Sequence, residues 1–204
     1  MIDFGLPRSR TVKMLIVDPK TGKIILVYDK AKENGKHEAW GLPGGGIPEK
    51  DGEAEDIRKR LENQVLNFLP VDVYRENMSR EALKRRLWLD WEEADRSYGG
   101  VKVSDSLIFW TAIKEGIEET GLLLFPCDVL LVDQIRPDHD FILVHAKTIT
   151  GRLDGRGCDT KKADWFDVCS LPRNIHKSHP GKIKRGLRAL GVDARVKRGR
   201  YVSV

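Results

Sequence analysis

The sequence predicts an α+β or α/β sandwich, and three observations carry that expectation. An alternating apolar pattern interrupted by turn residues opens the chain over 11–29. Amphipathic stretches with helical spacing follow between 53 and 120. Strand-like runs and a last amphipathic stretch close the chain. A hairpin, helices, strands and a helix in that order bury a sheet against helices.

Each element has its own justification. Val12, Met14 and Ile16 alternate with polar residues, Asp18-Pro19-Lys20-Thr21-Gly22 supplies turn chemistry, and Ile24 to Tyr28 forms a second strand. Residues 40–52 hold Trp40-Gly41-Leu42-Pro43-Gly44-Gly45-Gly46-Ile47-Pro48, a composition that helices do not survive, so this is a shaped loop. Ala54, Ile57, Leu61, Val65 and Phe68 recur at helical spacing over 53–69, and Pro70 stops the run. Ser79 is a suitable N-cap for a second helix over 79–96 with Leu83, Leu87, Trp88 and Trp91 on one side, and Tyr98-Gly99-Gly100 breaks it.

A third helix spans 105–120 after Ser104 or Asp105, with Leu107, Ile108, Thr111 and Ala112 facing the core and Gly121 as its stop. Strands follow at Val129 to Val132, Phe141 to Ala146 and Thr148 to Ile149. Gly151 to Lys162 is a polar loop, Trp165 to Val168 a short strand, and a final helix lies near Gly181 to Leu190.

Composition bounds the function. The 204 residues, 40% hydrophobic and 33% charged, suit one domain with a sizeable core and argue against extended disorder. Asp3, Pro7, Arg8, Arg10 and Lys13 break up the start, so no leader is expected there, and no apolar run approaches the ~20 residues of a membrane helix. Cys127, Cys158 and Cys169 are odd in number and far apart. They suggest reduced thiols and a cytoplasmic location, and their spacing matches no zinc site. A net charge of +5 favours anionic partners, either phosphate-bearing small molecules or nucleic acid.

Glu115, Glu118 and Glu119 stand at i, i+3 and i+4, so their carboxylates share one helix face about 5–6 Å apart. They sit in the last turn, where the helix dipole disfavours anions by roughly 0.3–1 kcal/mol each. A divalent cation such as Mg²⁺, which takes hard oxygen ligands, would offset this. A solvated acidic face balanced by Lys114 is the alternative. Pro43-Gly44-Gly45-Gly46 can bring backbone groups close to a ligand, or can simply be a tight turn.

Together these two segments resemble the Nudix hydrolase family, whose box is Gly, five residues, Glu, seven residues, then Arg-Glu-U-x-Glu-Glu-x-Gly-U, with U aliphatic. Lys114-Glu115-Gly116-Ile117-Glu118-Glu119-Thr120-Gly121-Leu122 matches the second half, and Trp40 to Gly46 resembles the approach to the first. Ala163-Asp164-Trp165-Phe166-Asp167 with Leu171-Pro172 resembles the strand and turn before the terminal helix of the family. The resemblance implies an α/β/α sandwich, a mixed sheet between helices. It implies hydrolysis of a pyrophosphate bond in a nucleoside diphosphate linked to another group, with Mg²⁺ or Mn²⁺. It makes Glu118 and Glu119 metal ligands, Glu115 a ligand or the base that activates water, and Gly44 a carbonyl donor to the metal.

The chain departs from the pattern in three ways. The box Arg is Lys114, which lacks the bidentate fork. Gly116 replaces an aliphatic residue and weakens the helix by about 1 kcal/mol relative to Ala. The box is also split: 60 residues, 54–113, separate Glu53 from Lys114 where the pattern has seven. The early Glu is therefore displaced to Glu53, replaced by Asp105, or absent.

The organisation expected is one domain over 1–204, a helical insertion over 54–103 and a basic tail over 191–204. The insertion either packs on the core as a subdomain or covers the substrate as a lid. The tail is a solvated end or a contact for RNA or polyphosphate. His176 and His179 are expected to cap or pack near the final helix rather than bind metal. His139 with Asp138 and Asp140 reads as a solvated loop that could reach substrate, and Asp159 or Asp164 could add a late acid. The rival function is a Nudix-fold regulatory protein that binds nucleotide or nucleic acid without turnover.

Overall fold

Alternation along the first strand dictates the architecture. In β1 (Ser9–Ile16) Val12, Met14 and Ile16 enter one apolar cluster and Leu15 enters another, so both faces of the strand are covered. β2 (Ile24–Asp29) divides likewise, with Ile25 in the first cluster and Ile24 and Leu26 in the second. The computed structural model describes residues 9–29, 38–48, 53–68, 79, 81–86, 88–89, 105–155 and 160–192, with 62–68 as backbone alone. Pro70, Leu87, Trp91, residues 98–100, Cys158, Asp159 and the tail beyond Val192 lie outside the described residues.

The remaining elements are β3 (Ala39–Gly41), β4 (Gly46–Ile47), α1 (Glu53–Phe68), α2 (Ser106–Thr120), β5 (Leu122–Arg136), β6 (His139–Gly151), β7 (Thr160–Phe166) and α3 (His179–Ala189). A four-stranded sheet has the order β4-β1-β6-β5, and a three-stranded sheet has the order β3-β2-β7. β1 and β6 run parallel from Ser9↔His139 to Ile16↔Ala146, and the other pairings are antiparallel. α1 and α2 cover the first cluster, and α3 covers the second through Ile183 and Leu187. The mixed sheet between helices is the predicted α+β sandwich.

Residues 11–29 turn where predicted, with Gly22 donating to the Asp18 carbonyl at 2.8 Å and Val17 bridging Ile24. They do not form a paired hairpin. Each strand hydrogen-bonds other partners, and the two diverge into separate sheets. The short strands expected between 129 and 149 are parts of one long ladder, β5 with β6. Pro126 sits inside β5 beside a register shift, which accommodates its missing donor.

α2 begins and ends as its sequence directs. The Asp105 carboxylate caps the Leu107 and Ile108 amides at 2.9 and 3.1 Å, and Gly121 adopts φ 74°. Gly116 has a packing reason. A Cβ there would lie 2.4 Å from Leu124 Cδ1, so a larger residue requires the buried Leu124 side chain to shift. α1 places Ile57 and Leu61 in the first cluster, and Trp88 packs against it. Residues 81–86 and 88–89 are helical, and the Ser79 hydroxyl accepts the Ala82 amide at 3.2 Å, as a cap should. The described residues between 53 and 89 thus pack on the core through Ile57, Leu61 and Trp88.

Candidate active site

The glycine loop is stitched to β1. Met14 donates to the Pro43 carbonyl at 2.8 Å and Val12 to the Gly45 carbonyl at 3.0 Å. Gly44 takes φ +130°, and a Cβ there would sit 2.2 Å from the Val12 carbonyl oxygen, so only glycine fits.

The acidic end of α2 meets this loop. The Gly44 amide donates to Glu119 Oε2 at 2.6 Å. The carboxyl carbon of Glu115 lies 2.4 Å from where a Gly45 Cβ would be, so it fills the space a side chain would take. Lys114 bridges Glu115 at 2.9 Å and Glu118 at 3.1 Å. Burial lowers the Lys114 pKa, but the two carboxylates outweigh it and hold the ammonium above its ordinary value. Lysine here grips both neighbours by reaching between them, in place of the fork an arginine would offer. Burial raises the Glu119 pKa to about 7, with help from Glu115 and Asp29 and against Lys13 and the Gly44 amide.

Two site residues escaped sequence reading. Lys13 donates its ammonium to the Gly44 carbonyl, taking up the oxygen that the resemblance assigns to a metal. Asp29 pairs with His176 at 3.0 Å and adds to the field at Glu119. Lys13 was legible only as a polar residue between Val12 and Met14, and Asp29 only as the end of a strand. His179 is buried and its Nδ1 accepts the Leu42 amide at 3.0 Å, so its proton sits on Nε2. Burial first, then Lys13, His176 and Lys182, lower its pKa to about 3. Both histidines thus back the Trp40–Leu42 backbone, as expected of packing residues.

The remaining candidates separate clearly. Asp105 caps α2 and pairs with Arg10 at 2.9 Å. It lies ten residues before Glu115, about 15 Å along the helix. Glu53 instead lines one cavity of about 540 Å³ with Glu115, Lys114 and Thr111. His139 bonds the hydroxyls of Ser9 and Thr11 at 2.6 and 3.1 Å. Asp138 pairs loosely with Arg136 at 3.8 Å, and Asp164 accepts the Trp165 amide. Neither Asp164 nor His139, Asp138 or Asp140 lines the described cavities. A larger, mostly apolar cavity of about 640 Å³ lies among Val17, Leu122, His145 and Trp165, and no box carboxylate lines it.

The donor set suits a hard cation, since carboxylates and a glycine carbonyl are oxygen ligands. Among the described residues no three acidic, His or Cys side chains already converge on one point. Lys13 and Lys114 hold the oxygens instead. Among the described residues, no helix is long and apolar enough to cross a membrane, and Cys127 and Cys169 are in no disulfide.

No family model matches the chain, and no curated protein does. Solved structures do. An ADP-ribose pyrophosphatase from Streptococcus suis superposes with a TM-score of 0.51 at 15% identity, over 93% of this chain and 96% of that one. A UDP-X diphosphatase gives 0.52 at 15% identity, over 92% and 64%. A Nudix hydrolase from Nitrosomonas europaea gives 0.51 at 14% identity, over 94% and 77%. This architecture is the Nudix fold.

Proposed function

We propose that this protein, built on the Nudix fold, hydrolyses a pyrophosphate bond in a nucleoside diphosphate linked to another group, using Mg²⁺ or Mn²⁺. One observation carries the reading. The two halves of a motif split by 60 residues meet in space, with Gly44 and Gly45 against Glu119 and Glu115. A fold alone hosts many functions, so the weight rests on this juxtaposition.

Glu115, Glu118, Glu119 and the Gly44 carbonyl are the ligand set proposed. When bound, the cation supplies charge neutralisation for the diphosphate and a Lewis acid. The protein's own groups do the rest. Lys13 sets a fixed positive charge beside the glycine loop, where an anionic substrate arrives. Lys114 orients Glu115, which takes a proton from the attacking water, and it steadies Glu118. The glycine backbone lets phosphate oxygens approach without side-chain obstruction.

A phosphate-release screen over nucleoside triphosphates, nucleotide sugars, dinucleoside polyphosphates, ADP-ribose and capped RNA, with Mg²⁺ or Mn²⁺, tests this. Turnover that requires the metal is expected. No turnover on any of them, with tight salt-sensitive RNA binding, would instead support the regulatory reading.

A further inference from the structure

Two polar groups of α1 and α2 have nothing to bond among the described residues. Glu53 Oε2 is buried without a hydrogen-bond partner, and so is the hydroxyl of Thr111, a residue only 1% exposed. Both residues line the cavity of about 540 Å³, together with the exposed Asp56 and Arg60 and with Lys114 and Glu115. Native structures rarely leave such groups unpaired, because each costs free energy once water is removed from it. Thr111 stands four residues before Glu115 on α2, one turn further from the helix end and on the same face. The cavity therefore runs from Glu115 back along the helix, away from the Gly44–Glu119 contact, whose residues do not line it.

We infer that this cavity is the subsite for a hydroxyl-bearing sugar carried on the diphosphate, so that the substrate class is a nucleotide sugar and α1 helps to select it. Glu53 and Asp56 only accept hydrogen bonds when ionised, Arg60 and Lys114 only donate them, and the Thr111 hydroxyl does both. A ligand that meets donors and acceptors in one cavity needs groups that also do both, and sugar hydroxyls are such groups. An ammonium would only donate, and it would face Arg60. A further phosphate is disfavoured. Three carboxylates stand against two cations among the described lining residues, and Glu115 and Glu118 already share Lys114. A second nucleobase is disfavoured too, since none of those residues offers an aromatic face for stacking. The volume lies within the ordinary range of small-molecule sites. This inference rests on the proposed reading of the helix end as the place where the diphosphate is hydrolysed.

Steady-state kinetics of the full chain with Mg²⁺ test it on two matched pairs, UDP-glucose against UTP and ADP-ribose against ATP. Saturation-transfer NMR of UDP-glucose in chelator accompanies them. In the wild type, kcat/KM should be at least about tenfold higher for the sugar-bearing member of the better pair. Thr111→Val and Glu53→Met should each lower that ratio by about tenfold, through KM more than kcat, the scale of a lost hydrogen bond to a sugar hydroxyl. Their metal-free melting temperatures should stay level or rise, because an unpaired buried polar group has gone. Glu55→Gln, an exposed residue of the same helix paired with Arg58, should change neither the ratio nor the melt. Should Glu53→Met fail to fold, Thr111→Val decides on the same thresholds. A wild type without the preference, or an unchanged ratio in both variants, overturns the inference and leaves the proposed function standing. An equal loss on all four substrates also overturns it, since the two residues would then serve the diphosphate and not the sugar. If the wild type hydrolyses none of the four, the proposed function falls. Saturation of the glucose protons that Thr111→Val weakens would then uphold the subsite, and no saturation of them would end it as well.

Discussion

The Gly44 amide donates a 2.6 Å hydrogen bond to the Glu119 carboxylate across 75 positions of sequence. This bond joins the loop hung from β1 to the last turn of α2. Its acceptor is a carboxylate whose charge the surroundings disfavour. Glu119→Gln removes the charge and keeps the shape. Turnover is expected to fall by about 10²-fold or more, as for Glu115→Gln, with the circular dichroism spectrum unchanged. Full activity in either variant removes that residue from the mechanism.

Asp105 and Glu53 differ in what they support. Asp105→Ala loses the helix cap and the Arg10 pair, so about 1 kcal/mol of stability should disappear in denaturant unfolding. Specific activity of the folded fraction should stay near wild type. A loss of activity without a loss of stability would return Asp105 to the list of chemical groups.

Gly116→Ala reverses the usual sign. Alanine in a helix interior ordinarily stabilises by about 1 kcal/mol relative to glycine. Here the added methyl would meet Leu124 at 2.4 Å. Net destabilisation of about 1–3 kcal/mol is expected from overpacking, visible as a lower urea midpoint. A gain in stability would mean that α2 can retreat from β5.

The metal-free protein should depend on pH through Glu119. Its folded pKa, about 7, lies above the ordinary value of 4.5. Its contribution to stability is therefore complete below about 4.5 and is lost as pH rises through 7. Melting curves in chelator should show this decline, and Glu119→Gln should flatten it. Mg²⁺ should raise the melting temperature more at pH 8 than at pH 5.5, because ligands bind metal deprotonated.

His179 acts in the opposite window. Its folded pKa of about 3 lies below the ordinary 6.5, so stability present above 6.5 is lost as pH falls toward 3. His179→Asn keeps an acceptor for the Leu42 amide and cannot be protonated there. It should blunt acid unfolding between pH 6 and 4. Unchanged acid sensitivity would place the effect elsewhere.

Local patterns made α2, its two caps and the glycine loop legible, because a cap or a triple glycine acts within a few residues. The helix α1 was legible for the same reason. The partners of β1 were not. Its parallel neighbour lies 130 positions away at Ser9↔His139, and no local period encodes such a pairing. Non-local pairing also hid Lys13 and Asp29, which meet Gly44 and His176 across 31 and 147 positions. Gly116 is unfavourable by helix propensity, and its approach to Leu124 accounts for it. Of the two acids at the split, the helix geometry of α2 makes Asp105 a cap, and Glu53 lines one cavity with Glu115.

The interruption between Glu53 and Lys114 has an entropic side. Stretching a connection from seven residues to 60 raises the closure cost by only about 2 kcal/mol, since that cost grows with the logarithm of length. The two flanks are already fastened, the loop to β1 and the helix end to β5, so the added chain does not have to hold the motif together. A polypeptide arranged this way can acquire a segment between two parts of one motif without separating them. Side chains carried by the intervening chain then start next to the residues proposed as the site.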